Sequence, residues 1–124
     1  KDIEFLSGLN DETLSELYCQ AKLFILTSVN EGHHFEGFGL VFLEAAAAGL
    51  PVIGTLDNGI EDAVKNGYNG LLVPQNDDKA TASAIVKIMR DEEMRNEFSH
   101  NSFEWAKDHD WNTVIKNYLN IYNK

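Results

Sequence analysis

Three observations on this 124-residue sequence predict an α/β fold of the doubly wound kind, a parallel sheet with helices on both faces and a helical C-terminal tail. Short apolar runs of strand length alternate with helical stretches over the first three-fifths of the chain, the order expected of βαβ units. One of those runs, "LFILTS" from Leu23 to Ser28, is almost continuously apolar, as strands buried on both faces are. From Asp77 onward the pattern is helical.

Ile3 to Ser7 reads as a first short strand. Asn10-Asp11-Glu12 supplies a capping residue and an acidic first turn, opening a helix that runs to about Ala21 with Leu14, Leu17 and Tyr18 inward. Leu23 to Ser28 is the second strand. A helix from about Phe38 to Ala48 follows, closed by Gly49-Leu50-Pro51, and Pro51 to Thr55 is the third strand. Gly59 to Val64 fits one helical turn, "KNGYNG" is a turn cluster, and "GLLVP" from Gly70 to Pro74 is the fourth strand. The helical remainder falls into three pieces, with breaks near Asp91 and near Asp108 to Asp110. The chain opens almost directly on a strand, so residues 1–124 are expected to form a single unit, half of a doubly wound domain, that begins inside a larger one.

The net charge is −10, which disfavours nucleic acid or an anionic membrane as the main partner. Cys19 is the only cysteine, which excludes a disulfide scaffold and a thiolate metal cluster and fits a reducing, cytoplasmic setting. Within residues 1–124 no stretch reads as a signal peptide, low-complexity tract or internal repeat. His33 and His34 are adjacent with no third ligand close in sequence, which reads as plain loop rather than a metal site.

The most apolar segment is "EGFGLVFLEAAAAGLPVIG", in which Glu44 is the only charged residue between Gly37 and Gly54. Its length would span a bilayer, but the Gly-Leu-Pro break and the lack of Lys or Arg from Leu23 to Val64 argue against that. A helix apolar on all sides reads as buried, and a buried carboxylate needs hydrogen-bonding partners. Those partners are either ribose hydroxyls of a bound nucleotide or backbone amides, unless the side chain emerges at the helix edge. Gly37-Phe38-Gly39 enters the helix after the polar loop "VNEGHHFEG", and free amides at a helix N-terminus favour an anion such as phosphate. Were Glu36 and Glu44 on one helix, they would stand about 12 Å apart. Glycosidase carboxylate pairs need about 5–9.5 Å, so two separate contacts on one elongated ligand are the better reading.

These residues resemble a known family. "EGFGLVFLE" has the E-x(7)-E pattern of retaining GT-B glycosyltransferases of the family-4 group, which use nucleotide-sugar donors. "GLPVIGT" looks like the family's G-x-PVI strand, "NGIEDAVKNGYNGLLVP" resembles its GG-x-PE…GLLVP segment, and "LSGLNDETLSELYCQAKLFILTS" is similar to the stretch before the motif. The resemblance implies a Rossmann-like sheet and places nearly the whole chain in the second half of a donor-binding domain. It implies that Glu44 accepts hydrogen bonds from the donor ribose, that Glu36 lies by the transferred sugar as the catalytic candidate, and that the amides of Gly37, Phe38, Gly39 and Leu40 face the sugar and diphosphate. Transfer would proceed with retention and without a metal ion or other cofactor, to a glycan or lipid acceptor bound by another domain. A cytoplasmic site of action is implied, with membrane association of the longer protein as the alternative.

The sequence departs from the pattern where Asn58 replaces a glycine, Glu61 a proline and Asp62 a glutamate. The Arg and Lys that hold the diphosphate in the family precede this region and are absent here. Between Leu23 and Val64 there are six acids, Glu31, Glu36, Glu44, Asp57, Glu61 and Asp62, and no Lys or Arg. The rival reading is a non-catalytic nucleotide-sugar-binding subunit completed by another chain. Trp105, Trp111, Tyr118 and Tyr122 read as core or interdomain packing, and self-association of the isolated chain is expected.

Overall fold

The computed structural model describes residues 2–122. The order is α1 (Asp11–Gln20), β1 (Phe24–Ile25), α2 (Leu40–Ala47), β2 (Val52–Thr55), α3 (Ile60–Ala63), β3 (Gly70–Val73), α4 (Asp78–Arg90), α5 (Glu92–Asp108) and α6 (Trp111–Tyr122). The three strands form a parallel sheet in the order β1-β2-β3, with Phe24 opposite Val52 and Val52 opposite Gly70. This is the predicted α/β architecture with its helical C-terminal tail.

Alternation along the strands divides the core between two faces. Val52, with Phe24, Leu26 and Leu72, joins Phe42, Ala45, Ile60 and Val64 beneath α2 and α3. Ile53 and Val73 point the other way and meet Ala84, Ile88 and Phe98 of α4 and α5. The central strand β2 is buried at all four residues, as a strand covered by helices on both faces must be.

Polar residues set the helix boundaries. Asn10 Oδ1 accepts from the Thr13 amide, Asp77 Oδ1 from Ala80 and Asp91 Oδ1 from Met94, starting α1, α4 and α5. The C-terminal half therefore divides into three helices where expected. Among the described residues no helix is long and apolar enough to cross a membrane.

Several expectations need correction. Ile3 to Ser7 is not a strand: no described strand lies beside it to pair its backbone, and Phe5 is 95% exposed. β1 keeps only two residues of the expected six, although the Phe24 and Leu26 amides still donate to Pro51 and Ile53. It lies at the edge of the described sheet, so Ile25 is exposed rather than doubly covered. On α1, Leu14 and Leu17 are exposed and only Tyr18 of the three packs on the core. Helix α2 begins at Leu40, because Phe38 and Gly39 belong to the turn before it.

Candidate functional site

The parallel strands deliver their following loops to one end of the sheet, where ligands of doubly wound folds bind. Hydrogen bonds lock these loops together. Thr55 Oγ1 donates to the Ser28 carbonyl, the Asn30 amide to Gln75 Oε1, and Asn30 Nδ2 to the Asp57 carbonyl. Gln75 Nε2 in turn donates to the Leu56 carbonyl.

The loop after β2 carries the residues that departed from the family pattern, and the side chains of two of them, Asn58 and Glu61, shape it. Asn58 Nδ2 donates to Thr55 Oγ1 while its Oδ1 accepts the Ile60 amide, the first of α3. Glu61 Oε1 accepts the Asp57 amide at 2.6 Å, holding Asp57 at a positive φ of 63°. Side-chain hydrogen bonds therefore shape a turn that glycine and proline would otherwise shape.

That loop rests on the glycine turn leading into α2. The Gly59 amide donates to the Glu36 carbonyl at 2.8 Å, and a Cβ on Gly59 would overlap the Gly37 carbonyl. Gly39 stands at the N-cap of α2 with φ 76°, a backbone that side chains rarely adopt, and no side chain caps this helix. Its first amides thus leave the positive end of the helix dipole without a side-chain cap. Phe38 lies 6.4 Å from the His109 ring, and His109 stacks at 4.4 Å on Trp105, whose Nε1 donates to the Ala63 carbonyl. The end of α5 thus braces the turn from the far side.

Glu36 is half-buried in the loop before the turn, and Glu44 is one turn into α2. They do not share a helix, so helical rise does not set their separation. Glu44 is exposed, which corrects the expectation of a buried carboxylate and matches the alternative of a side chain emerging at the helix edge. Phe42, Ala45 and Ala46 face the core, whereas Leu40, Glu44 and Ala47 form an open stripe, with Leu40 64% exposed. That stripe borders a groove of about 480 Å³, walled also by Phe38, His109 and Trp111, and Glu44 is the acid on its α2 side.

Glu44 has a partner that the motif does not contain: Tyr18 Oη donates to Glu44 Oε2 at 3.3 Å. Burial, and then the nearby Glu44 charge, raise the Tyr18 phenol above its ordinary pKa. Nothing in the sequence spacing links positions 18 and 44. Among the described residues none of the six acids between Leu23 and Val64 is in an ion pair. No group of three or more His, Cys, Asp or Glu that could hold a metal ion is found there either, and His33 and His34 are exposed.

Comparison with known proteins places this arrangement. The pattern described as glycosyl transferases group 1 matches residues 1–105. The chain is 32% identical over 120 residues to a D-inositol 3-phosphate glycosyltransferase of Corynebacterium urealyticum, covering 97% of this chain and 27% of that protein. It superposes on sucrose-phosphate synthase from Thermosynechococcus elongatus with a TM-score of 0.83 and 30% identity, over 97% of this chain and 29% of the other. An Anabaena protein solved in complex with UDP-glucose matches with a TM-score of 0.67 and 26% identity, over 75% and 24% of the two chains. The chain thus spans less than a third of the length of these relatives.

Proposed function

The chain belongs to the glycosyl transferases group 1 family, and from that premise we propose that it carries part of the donor site of a retaining, family-4-type glycosyltransferase. The reaction moves a sugar from a nucleotide sugar to a glycan, lipid or other hydroxyl-bearing acceptor. In this reading residues 1–124 belong to the C-terminal, nucleotide-sugar-binding domain of a longer two-domain protein.

The observation that carries the reading is the uncapped, glycine-entered N-terminus of α2 with one carboxylate on each side. A diphosphate held by the amides of Gly37, Phe38, Gly39 and Leu40 extends its nucleoside toward Glu44 and its sugar toward Glu36. Glu44, exposed on the open stripe, accepts from the ribose hydroxyls. Glu36 acts on the sugar by position and charge. The complex of the Anabaena neighbour with UDP-glucose supports a nucleotide sugar as the donor class. A helix N-terminus carries only about half a positive charge, so the cations that balance the diphosphate come from outside residues 23–64. Transfer is metal-independent in this reading, and saturating EDTA should leave its rate unchanged.

A second reading has one observation in its favour: six acids near the loops with no ion pair among the described residues. A non-catalytic subunit that another chain completes with its own basic residues would show the same pattern.

The test assays the complete gene product with UDP-, GDP- and ADP-sugars for donor hydrolysis and transfer. Turnover with one donor class is expected, and Glu44→Gln should raise the donor KM about tenfold or more, since hydrogen bonds to charged groups contribute about 1.5–3 kcal/mol. Tight donor binding without turnover selects the subunit reading. No binding of any donor overturns both.

A further inference from the structure

Tyr18 lies on α1, outside the turn, the motif and every loop of the site, yet its phenol donates to Glu44 Oε2 at 3.3 Å. Its ring is held in place. It packs at 5.9 Å against Phe24 of β1, and Phe24 meets Phe42 edge-to-face at 5.3 Å and 87°. Phe42 is wholly buried on the same helix as Glu44. A closed circuit results: α2 anchors Phe42, the aromatic contacts pass through β1 to α1, and the hydroxyl returns to α2 at its one acidic residue.

Such a circuit restrains a side chain that is otherwise mobile. An exposed glutamate samples many rotamers, and a ligand that needs one of them pays for the ordering. A neutral phenol is suited to this task. It fixes one carboxylate oxygen and leaves the charge in place, whereas a lysine would also neutralise it.

We propose that Tyr18 is a positioning residue for Glu44, holding Oε2 so that Oε1 meets a ribose hydroxyl, and that it thereby strengthens the preference for ribonucleotides over their deoxy counterparts. The proposal rests on the donor-site reading above. The bland alternative is that Tyr18 only packs α1 onto the core, and Tyr18→Phe separates the two because it keeps the ring and removes only the donor.

The experiment uses the complete gene product. Affinities are measured for UDP, GDP and ADP, and then for the 2′,3′-dideoxy form of the tightest binder. The wild type should prefer the ribose form. Tyr18→Phe should reduce that preference by about threefold to tenfold, the range of one modest hydrogen bond, with dideoxy affinity and thermal midpoint nearly unchanged. In a Glu44→Gln background the same substitution should have no further effect on the preference. Unchanged ribose affinity in Tyr18→Phe, or equal losses for both nucleotides, overturns the positioning role. A wild type that binds none of the three, or that ignores the ribose hydroxyls, overturns the donor-site reading itself.

Discussion

The Gly59 amide and the Glu36 carbonyl oxygen are 2.8 Å apart, so the loop leaving β2 lies directly on the turn that enters α2. Gly59 has φ −70°, a conformation that alanine adopts freely. Entropy alone would therefore favour Gly59→Ala by about 0.4–1 kcal/mol. Space decides otherwise, because the new Cβ overlaps the Gly37 carbonyl and comes within 2.8 Å of the Glu36 oxygen, both rigid backbone. Gly59→Ala should lower stability by about 1–3 kcal/mol, as overpacking does, with a matching fall in the thermal midpoint. A variant as stable as the wild type would show that the two loops part readily.

Tyr18 makes the Tyr18–Glu44 pair testable by titration. Burial is the larger cause of its raised pKa, with the charge and hydrogen bond of Glu44 behind it. A folded pKa above the unfolded one stabilises the protein while the phenol is protonated, and that contribution fades as pH rises past about 10 through the folded value. NMR titration of the tyrosine rings should show Tyr18 ionising above the ordinary 10.0. Glu44→Gln should bring it down but not fully back, since burial remains. An ordinary Tyr18 pKa in both proteins would mean that the pair does not form in solution.

Much of the fold was legible because its signals are local. Asn10, Asp77 and Asp91 announce helices through side chains that cap within three residues, and "PVIGT" is apolar enough to place the buried central strand. Pairing is not local. Ile3 to Ser7 has the composition of a strand and no described neighbour, and β1 is shortened at the edge of the described sheet. Glu44 was misplaced for a related reason. In "LVFLEAAA" nearly every position is apolar, so composition cannot tell the core-facing Phe42 and Ala45 from the open Leu40 and Ala47. Its partner Tyr18 belongs to another helix, 26 positions away, and only tertiary structure joins them.

Glu36 holds the turn through its backbone, whereas its proposed role toward the sugar belongs to its side chain, so substitution separates the two. Glu36→Ala retains the carbonyl that accepts the Gly59 amide. Stability should change by no more than about 0.5–1 kcal/mol. In the complete gene product the transfer rate should fall roughly 10²-fold, the lower end of what a well-placed acid or base contributes. Affinity for the free nucleoside diphosphate should stay within about twofold, because the proposed reading puts the nucleoside on the Glu44 side. Equal losses in turnover and in nucleotide binding would move Glu36 onto the nucleotide.

The last prediction concerns the 124-residue chain on its own, which should self-associate and transfer no sugar. Helix α6 has no buried residue, and Trp111, Ile115, Tyr118 and Tyr122 recur along one exposed stripe, with Trp111 73% exposed. Packing on α5 half-buries only Thr113 and Val114 of this helix. An apolar stripe of this length, together with the open edge of β1, recruits partners. In the proposed reading, residues 23–64 also supply six acids and no Lys or Arg to meet a diphosphate. Light scattering should therefore report dimers or larger species, and Ile115→Lys with Tyr118→Lys should shift them toward monomer without unfolding the sheet. An assay across UDP-, GDP- and ADP-sugars should register neither hydrolysis nor transfer. A clean monomer that turns over a nucleotide sugar would show that the stripe needs no cover and that the helix dipole alone can hold the donor.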